Sequence, residues 1–249
     1  MSSPQKIREE FITTLFGPAA HALAEEKLHE LQAKGGSLML SKDAYIKQQE
    51  KVILSTLDKQ LAWVGSALRQ ASAILHERLE ALPSSKREVI RDELTRAFEG
   101  FADNINKSRD TLEPLQVMLG ISRETMLWMY SVGRETFTEK RYEEAQGIFF
   151  LLTMLNAFVA DYWTAFGMSQ RHTDHEEEAL YSFAMAICLQ PDKPLPRYHS
   201  ADIYCKLGKI DDACIELEEL SRIVADLQDR EWSETCDVLR SKIYMQKIS

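Results

Sequence analysis

The sequence predicts an all-α protein, and two kinds of spacing carry that prediction. Apolar residues recur every three or four positions in each segment, and no segment keeps the alternate-residue spacing of a strand. The chain also matches itself at a period of 34 residues, as arrays of helix pairs do. We therefore expect an N-terminal helical hairpin or coiled-coil region, then three helix-pair repeats, then a C-terminal capping helix.

The N-terminal extension, residues 1–118, is predicted to be helical and to lie outside the repeat. Over residues 5–34 the spacing predicts one or two short helices with a break near Gly17-Pro18, because proline lacks the backbone donor that a helix interior needs. An amphipathic helix is predicted over residues 85–110. Its start is indicated by Ser85-Lys-Arg-Glu88, which has the spacing of a capping box.

A long helix is predicted over residues 41–82, and its leucines repeat every seven residues. A heptad places apolar side chains along one seam, which is covered either by another helix of the same chain or by a second copy. The short turn at Pro83-Ser84 favours an antiparallel hairpin within the chain. The alternative is a homodimer, and the sequence alone does not decide between the two arrangements. The candidate dimer seam consists of Leu54, Leu57, Leu61, Val64, Leu68 and Leu75.

Charge and composition exclude several classes of function. The chain has 30 Lys and Arg against 39 Asp and Glu, and its net charge of −9 repels nucleic-acid phosphates and anionic membranes. No apolar run is long enough to span a bilayer, and the N-terminus lacks the pattern of a secretory signal. The four cysteines are scattered, as is typical of reduced thiols. We expect a cytoplasmic protein that binds no nucleic acid and does not insert stably into membranes.

No motif in the sequence predicts catalysis. His172-x-x-His175, followed by three glutamates, is the cluster that most resembles a metal-ligand set, but it falls at a turn between helices and no third ligand can be placed. Glycine-rich phosphate loops and nucleophile motifs are not found in the sequence. We therefore expect no enzymatic activity, no metal and no cofactor.

The 34-residue period is clearest at three positions of the repeat, in windows that begin at Met126, Ala160 and Pro194. Small residues at positions 8 and 20 allow two helices to approach closely, and the bulky residue at position 24 is expected to fill the gap to the next repeat. Position 8 holds Gly133, Gly167 and Ala201, position 20 holds Ala145, Ala179 and Ala213, and position 24 holds Phe149, Phe183 and Leu217.

This pattern is that of the tetratricopeptide repeat. It predicts repeats at residues 126–159, 160–193 and 194–227, within a domain of residues 119–228. Residues 229–249 carry apolar side chains at helical spacing and are predicted to form the capping helix that the end of a solenoid requires.

The first helix of each repeat is expected to line a concave groove through positions 2, 5, 9 and 12. Spaced aromatic side chains with a flexible methionine between them suit an extended peptide with apolar anchors. The alternative is that some of these side chains pack on the N-terminal region and that no ligand enters. The expected peptide-binding residues are Leu127, Tyr130, Arg134, Phe137, Asp161, Thr164, Met168, Arg171, Leu195, Tyr198, Asp202 and Cys205.

Several motifs in the repeats resemble those of the class II, tetratricopeptide-repeat chaperones of type III secretion translocators. The resemblance extends from Leu119 to about Ile223. It rests on Leu127-Trp-Met-Tyr130, Lys140-Arg-Tyr142-Glu-Glu-Ala145, Trp163-Thr-Ala-Phe-Gly167 and Pro196-Arg-Tyr-His-Ser-Ala201, together with the order and spacing of the repeats. The N-terminal extension has no counterpart in this resemblance, since the family usually has one short helix there.

The resemblance implies a cytoplasmic bacterial chaperone with a role in virulence. Such a chaperone binds an extended segment of a hydrophobic translocator or effector, of the Pro-x-Leu-x-x-Pro kind, and keeps that client soluble and unassembled before export. Tyr130 and Phe137 match the family's groove aromatics, whereas Arg134 departs from the usual apolar residue. The alternative is a non-enzymatic adaptor or regulator of the secretion apparatus that uses the N-terminal helical region as its main interface.

Overall fold

The computed structural model describes residues 4–34, 41–99 and 113–248, and every regular element within them is a helix. The all-α prediction is confirmed. The helices are α1 (Pro4–Ala33), α2 (Lys42–Glu80), α3 (Ser84–Glu99), α4 (Leu115–Met118), α5 (Arg123–Thr138), α6 (Tyr142–Leu155), α7 (Ala160–His172), α8 (Glu176–Leu189), α9 (Pro194–Lys206), α10 (Ile210–Leu227) and α11 (Arg230–Ile248).

The chain forms two compact units, Met1–Ser66 and Ala67–Ser249, and the division between them falls inside α2. We call these the first unit and the second unit. The sequence predicted the change in organisation near residue 118, so the compact units divide at a different place. The predicted domain limits at residues 118 and 228 stay predictions.

In the first unit, α1 runs without interruption through Gly17-Pro18, and the predicted break there is wrong. Proline fixes φ at a value that a helix accepts, so one missing backbone hydrogen bond does not end a helix of 30 residues. Further along α1, one stripe of side chains is buried, consisting of Ala20, Ala24 and Leu28.

The heptad positions of the first unit are only partly buried. Leu54, Leu57 and Val64 are intermediate, and Leu61 is 42% exposed. The homodimer therefore stays a prediction for this part of the seam. The two C-terminal members of the seam lie in the second unit, where Leu68 is half-buried and Leu75 is 6% exposed. Leu75 is thus already packed within one chain.

The second unit begins with the C-terminal third of α2, which packs against the first repeat. A side chain added at Gly147 of α6 would lie 2.6 Å from the carbonyl oxygen of Ala67, so the two backbones meet directly at that glycine. Arg78 donates two hydrogen bonds to the carboxylate of Glu139, at 2.5 and 2.7 Å. About a third of α2 therefore packs with the repeats.

Helix α3 also belongs to the second unit. The carboxylate of Glu93 accepts hydrogen bonds from the backbone N–H of Ser122, at 3.0 Å, and from the hydroxyl of Thr125, at 2.6 Å. Ser122 in turn caps the N-terminus of α5 through its hydroxyl. Helix α3 begins at Ser84, one residue before the predicted start, and residues 100–110 of the predicted helix lie outside the described residues.

Three helix pairs follow, α5 with α6, α7 with α8 and α9 with α10. The glycine at position 8 of the first two repeats lies against the phenylalanine at position 24 of the same repeat. A Cβ atom at Gly133 would lie 2.7 Å from the Phe149 ring, and one at Gly167 would lie 2.7 Å from the Phe183 ring. The bulky position 24 therefore fills space inside its own repeat. In the second repeat it also reaches the next one, as the sequence suggested, because the Phe183 ring stacks on His199 at 5.2 Å and packs with Ile203.

The turn inside each repeat has the same backbone geometry. Position 15 is left-handed in all three repeats, with φ of 64° at Lys140, 60° at Asp174 and 71° at Gly208. The residue after it donates a backbone hydrogen bond to the carbonyl five residues back, as in a Schellman motif. The three turns thus place the second helix of each pair in the same way.

Helix α11 covers the end of the array. Its buried residues Cys236, Leu239 and Ile243 pack with α9 and α10 in one cluster, which includes Ala201 and Leu217. The helix therefore has the position that the sequence predicted for a cap. No helix within residues 4–34, 41–99 and 113–248 has both the length and the apolar character to cross a bilayer.

Candidate peptide-binding groove

The first helices of the first two repeats line a cavity of about 370 Å³. We call it the apolar cavity, because aromatic and aliphatic side chains dominate its wall, with Arg134 and Asp161 as its charged members. It brings together seven residues predicted for the groove, together with three others. The predicted residues are Tyr130, Arg134, Phe137, Asp161, Thr164, Met168 and Leu195, and the additional ones are Thr138, Phe149 and Ala165.

The aromatic rings of the apolar cavity are held by other rings. Tyr130 lies between Phe149 and Tyr162, with ring centroids 5.9 and 5.4 Å away. Burial raises the pKa of the Tyr130 phenol, and the nearby carboxylate of Asp161 adds to the effect. Phe137 packs edge-on against Tyr142 at 5.1 Å. Such packing fixes the rings before a ligand arrives, which reduces the entropy lost on binding.

A second cavity, of about 230 Å³, adjoins the apolar cavity at Met168, which lines both. We call it the basic cavity. Its other lining residues are Arg171, His172, His199 and Lys206. Arg171 donates a hydrogen bond of 2.5 Å to the carboxylate of Asp202 and also contacts the ring of His199.

The histidines of the basic cavity are neutral near pH 7. Burial lowers the pKa of His199 to about 3, and the positive charge of Arg171 contributes to that shift. Burial also lowers the pKa of His172, with Arg171 and Lys206 as further causes. For Asp202, burial favours a higher pKa, but hydrogen bonds from Lys242 and Arg171 outweigh it and hold the pKa below its usual value.

Four predicted groove residues lie outside the apolar cavity and do not line the basic one. Leu127 is 52% exposed at the start of α5. The other three, on α9, contact the capping helix: Tyr198 packs against Trp232, Asp202 accepts a hydrogen bond from Lys242, and Cys205 donates one to Gln246. The cap therefore covers these three side chains of α9, while Leu195, His199 and Lys206 of the same helix line the two cavities.

The sequence missed three residues of the apolar cavity. The period assigns Phe149 to the helix interface, and its ring also reaches the groove because Gly133 opposite it has no side chain. Thr138 and Ala165 each lie next to a predicted groove position, and a wider window on the same helix face would have included them. Within the described part of the chain, no three His, Cys, Asp or Glu side chains are grouped so as to hold a metal ion.

Solved structures show what this fold is similar to. A chain of a T3SS complex from Aeromonas hydrophila is 18% identical, with a TM-score of 0.52, over 58% of this chain and 95% of its own length. The Yersinia enterocolitica secretion chaperone SycD, with a peptide of the translocator YopD, is 20% identical over 51% and 96% of the two chains, with a TM-score of 0.48. PcrH with the chaperone-binding region of PopD is 21% identical over 52% and 96%, also with a TM-score of 0.48.

No protein-family model and no curated protein sequence matches the chain. At these identities the likeness to the Aeromonas chain shows the fold, an array of helix pairs, and each match covers little more than half of this chain.

Proposed function

We propose that this chain is a chaperone of type III secretion that acts in the bacterial cytoplasm and has no enzymatic activity. Its client is a hydrophobic translocator or effector, from which it binds one extended segment in the concave groove. The observation that carries the proposal is the apolar cavity, where fixed aromatic rings and Met168 line a space next to exposed polar groups. The resemblance of the repeat motifs and the shared fold with the Aeromonas chain support the same assignment.

Binding of this kind requires no chemical step. An apolar segment that occupies the groove is shielded from membranes and from its partner translocator, so the client stays soluble and unassembled until export. Aromatic anchors are the residues that carry most of the free energy in such interfaces, at about 2 kcal/mol or more each. Tyr130 and Phe137 are the anchoring side chains on the groove side.

The test is a double variant, Tyr130→Ala with Phe137→Ala, in the full chain. We expect it to lose about 4 kcal/mol of binding free energy, which is roughly a thousandfold in Kd. The measurement is affinity purification from the native cells, with co-purifying polypeptides identified by mass and the client's soluble fraction quantified. A soluble client in the double variant's cells would contradict the proposal.

The matched control is Phe158→Ala with Tyr181→Ala. These aromatic residues are 57% and 64% exposed and line neither groove cavity, so the control should retain the client. Because Tyr130 also packs on Phe149, a third variant, Met168→Glu, tests the groove without removing a ring. It places a charge at the junction of the two cavities and should lose the client. Because Met168 also packs against the buried cluster that contains Phe183, the binding is compared at a temperature at which a thermal melt shows the variant to be folded.

One observation favours the adaptor alternative. The first unit is compact by itself and presents exposed apolar side chains on α2, Val52 and Leu61. A shortened chain that starts at Ala67 distinguishes the two functions. Residues 67–99 are kept because they contact the first repeat. A chaperone retains its client after this truncation, whereas an adaptor loses its partner from the secretion apparatus.

A further inference from the structure

The basic cavity differs from its surroundings in charge. The whole chain carries −9, and residues 116–249 account for −8 of it. Yet the five residues that line this cavity are one methionine and four residues with basic side chains, Arg171, His172, His199 and Lys206. The positive charges are those of Arg171 and Lys206, which contact Asp202 and Glu176 respectively on one side, and cations at a small concave site concentrate counter-charges there.

The cations of this cavity keep hydrogen-bonding capacity. Arg171 uses one terminal nitrogen on Asp202 and the other on His199, and a guanidinium has five N–H donors in all. Lys206 is held by Glu176 at 2.7 Å, but its side chain is 45% exposed and its ammonium has three donors. The lowered pKa of His172, caused first by burial and then by Arg171 and Lys206, is a second sign of positive potential there.

The position of the cavity gives it a role in the groove. Because Met168 lines both cavities, an extended segment whose apolar side chain occupies the apolar cavity continues directly past Arg171 and Lys206. Each residue of an extended chain advances by about 3.3 Å, so a side chain within a few residues of the anchor reaches the basic cavity.

We propose that the basic cavity is a subsite for a carboxylate side chain of the bound segment. The groove then selects an extended segment in which an Asp or Glu lies within a few residues of an apolar anchor. This inference rests on the proposed function and specifies its client further. Since the chain as a whole is acidic, its net charge does not attract a segment with a carboxylate, whereas the cations of the basic cavity do.

The experiment uses the full chain and labelled synthetic peptides of about 12 residues, which span at most about 40 Å when extended. Each peptide has a Pro-x-Leu-x-x-Pro core and an amidated C-terminus, except for one glutamine peptide that is also made with a free C-terminal acid. One glutamate is moved through the positions on both sides of the core, and each peptide is paired with one that has glutamine at the same position. Affinities are measured by fluorescence anisotropy at low and at high ionic strength.

At one register we expect the glutamate peptide to bind about three- to tenfold more tightly than its glutamine partner, an advantage that salt removes. Lys206→Gln should reduce this ratio, and Arg171→Gln should abolish it. The matched control is Arg230→Gln, which changes the net charge equally at a side chain that is 91% exposed and outside the groove. It should leave the ratio unchanged.

The outcomes separate the two proposals. If glutamate and glutamine peptides bind equally at every register, the carboxylate subsite is wrong and the peptide groove stands. The subsite is also wrong if the glutamate preference persists in both Lys206→Gln and Arg171→Gln. If only a free C-terminal acid gains affinity, the ligand is a chain terminus and not a side chain. If no peptide of the set binds, the proposed function fails together with the subsite.

Discussion

The two units of the chain differ in how completely they cover their apolar side chains. In the second unit the phenylalanines at position 24 are almost fully buried, Phe149 at 1% and Phe183 at 0% exposure. In the first unit the heptad side chains are half-buried, and Leu61 is 42% exposed. A helix-pair repeat contains both partners of each contact, the glycine and the phenylalanine, within 34 residues. A heptad contains one partner alone, so its cover must come from elsewhere in the chain or from another chain.

The largest expected effect on the free energy of unfolding comes from comparing two substitutions by alanine, one in each unit. Phe183→Ala removes a fully buried ring and should lower the free energy of unfolding by about 3–5 kcal/mol. Leu61→Ala should lower it by less than about 1 kcal/mol, because the side chain is already partly in water. Urea denaturation measures both.

The same experiment sharpens the question of the homodimer. If the cost of Leu61→Ala approached that of Phe183→Ala and depended on protein concentration, a second copy would cover the seam. A small cost that is independent of concentration would instead mean that the seam on the first unit stays open to solvent or to another partner.

The packing of α2 on α6 within the second unit is tested by Gly147→Ala. A Cβ atom there lies 2.6 Å from the carbonyl oxygen of Ala67, and a backbone oxygen cannot rotate away as a side chain can. We expect a loss of about 1–3 kcal/mol and faster hydrogen exchange in residues 67–79 of α2. Met154→Ala, at a 37% exposed position of the same helix, is the control and should leave that exchange unchanged. Unchanged exchange in Gly147→Ala would mean that α2 does not depend on this contact.

The repeats could be predicted from the sequence because residues that contact each other recur together along the chain. Gly133 with Phe149 and Gly167 with Phe183 recur at fixed spacing, and the structure brings each pair into contact. The sequence was not sufficient for the packing of α2 on α6, since that packing includes the close approach at one small residue, Gly147, that belongs to no period.

The groove was predictable only in part, for a related reason. The positions on α5 and α7 depend on repeat geometry alone, and most of them line the two cavities. Those on α9 depend also on the helix after the last repeat. The sequence indicated a capping helix. It did not indicate that Lys242 and Gln246 of that helix would form hydrogen bonds with Asp202 and Cys205.

One histidine in each unit makes stability depend on pH, and the two dependences have opposite sign. His199 of the second unit has its pKa lowered to about 3 by burial, with Arg171 adding to the shift, while Asp202 acts against it and His172 adds slightly. The unfolded chain therefore binds the proton more readily than the folded one. The contribution of His199 to the free energy of unfolding is fully present above the ordinary histidine pKa of about 6.5. It falls by about 1.4 kcal/mol for each pH unit below that value.

His21 of the first unit has its pKa raised, chiefly by its hydrogen bond to Glu50, so its contribution is present at low pH and is lost as pH rises through that value. Urea denaturation between about pH 6.5 and 5 measures the larger effect of His199. His199→Gln should reduce the dependence in this range. His172, whose pKa is also lowered, leaves a smaller slope of the same sign, and the lowered pKa of Asp202 keeps its titration below this range. An equal slope in the variant would mean that other groups cause the loss.

The smallest predicted effect concerns the turns of the second unit, which share one left-handed backbone position. The first turn has Lys140 there, the second Asp174 and the third Gly208. Left-handed φ costs a residue with a Cβ about 1–2 kcal/mol, and glycine avoids this cost while losing more entropy on folding. Lys140→Gly should therefore raise the free energy of unfolding by about 0.5–1 kcal/mol, and Gly208→Ala should lower it by a similar amount. Thermal melts of both variants measure the pair, and a change of the same sign in both would show that the three turns are not equivalent.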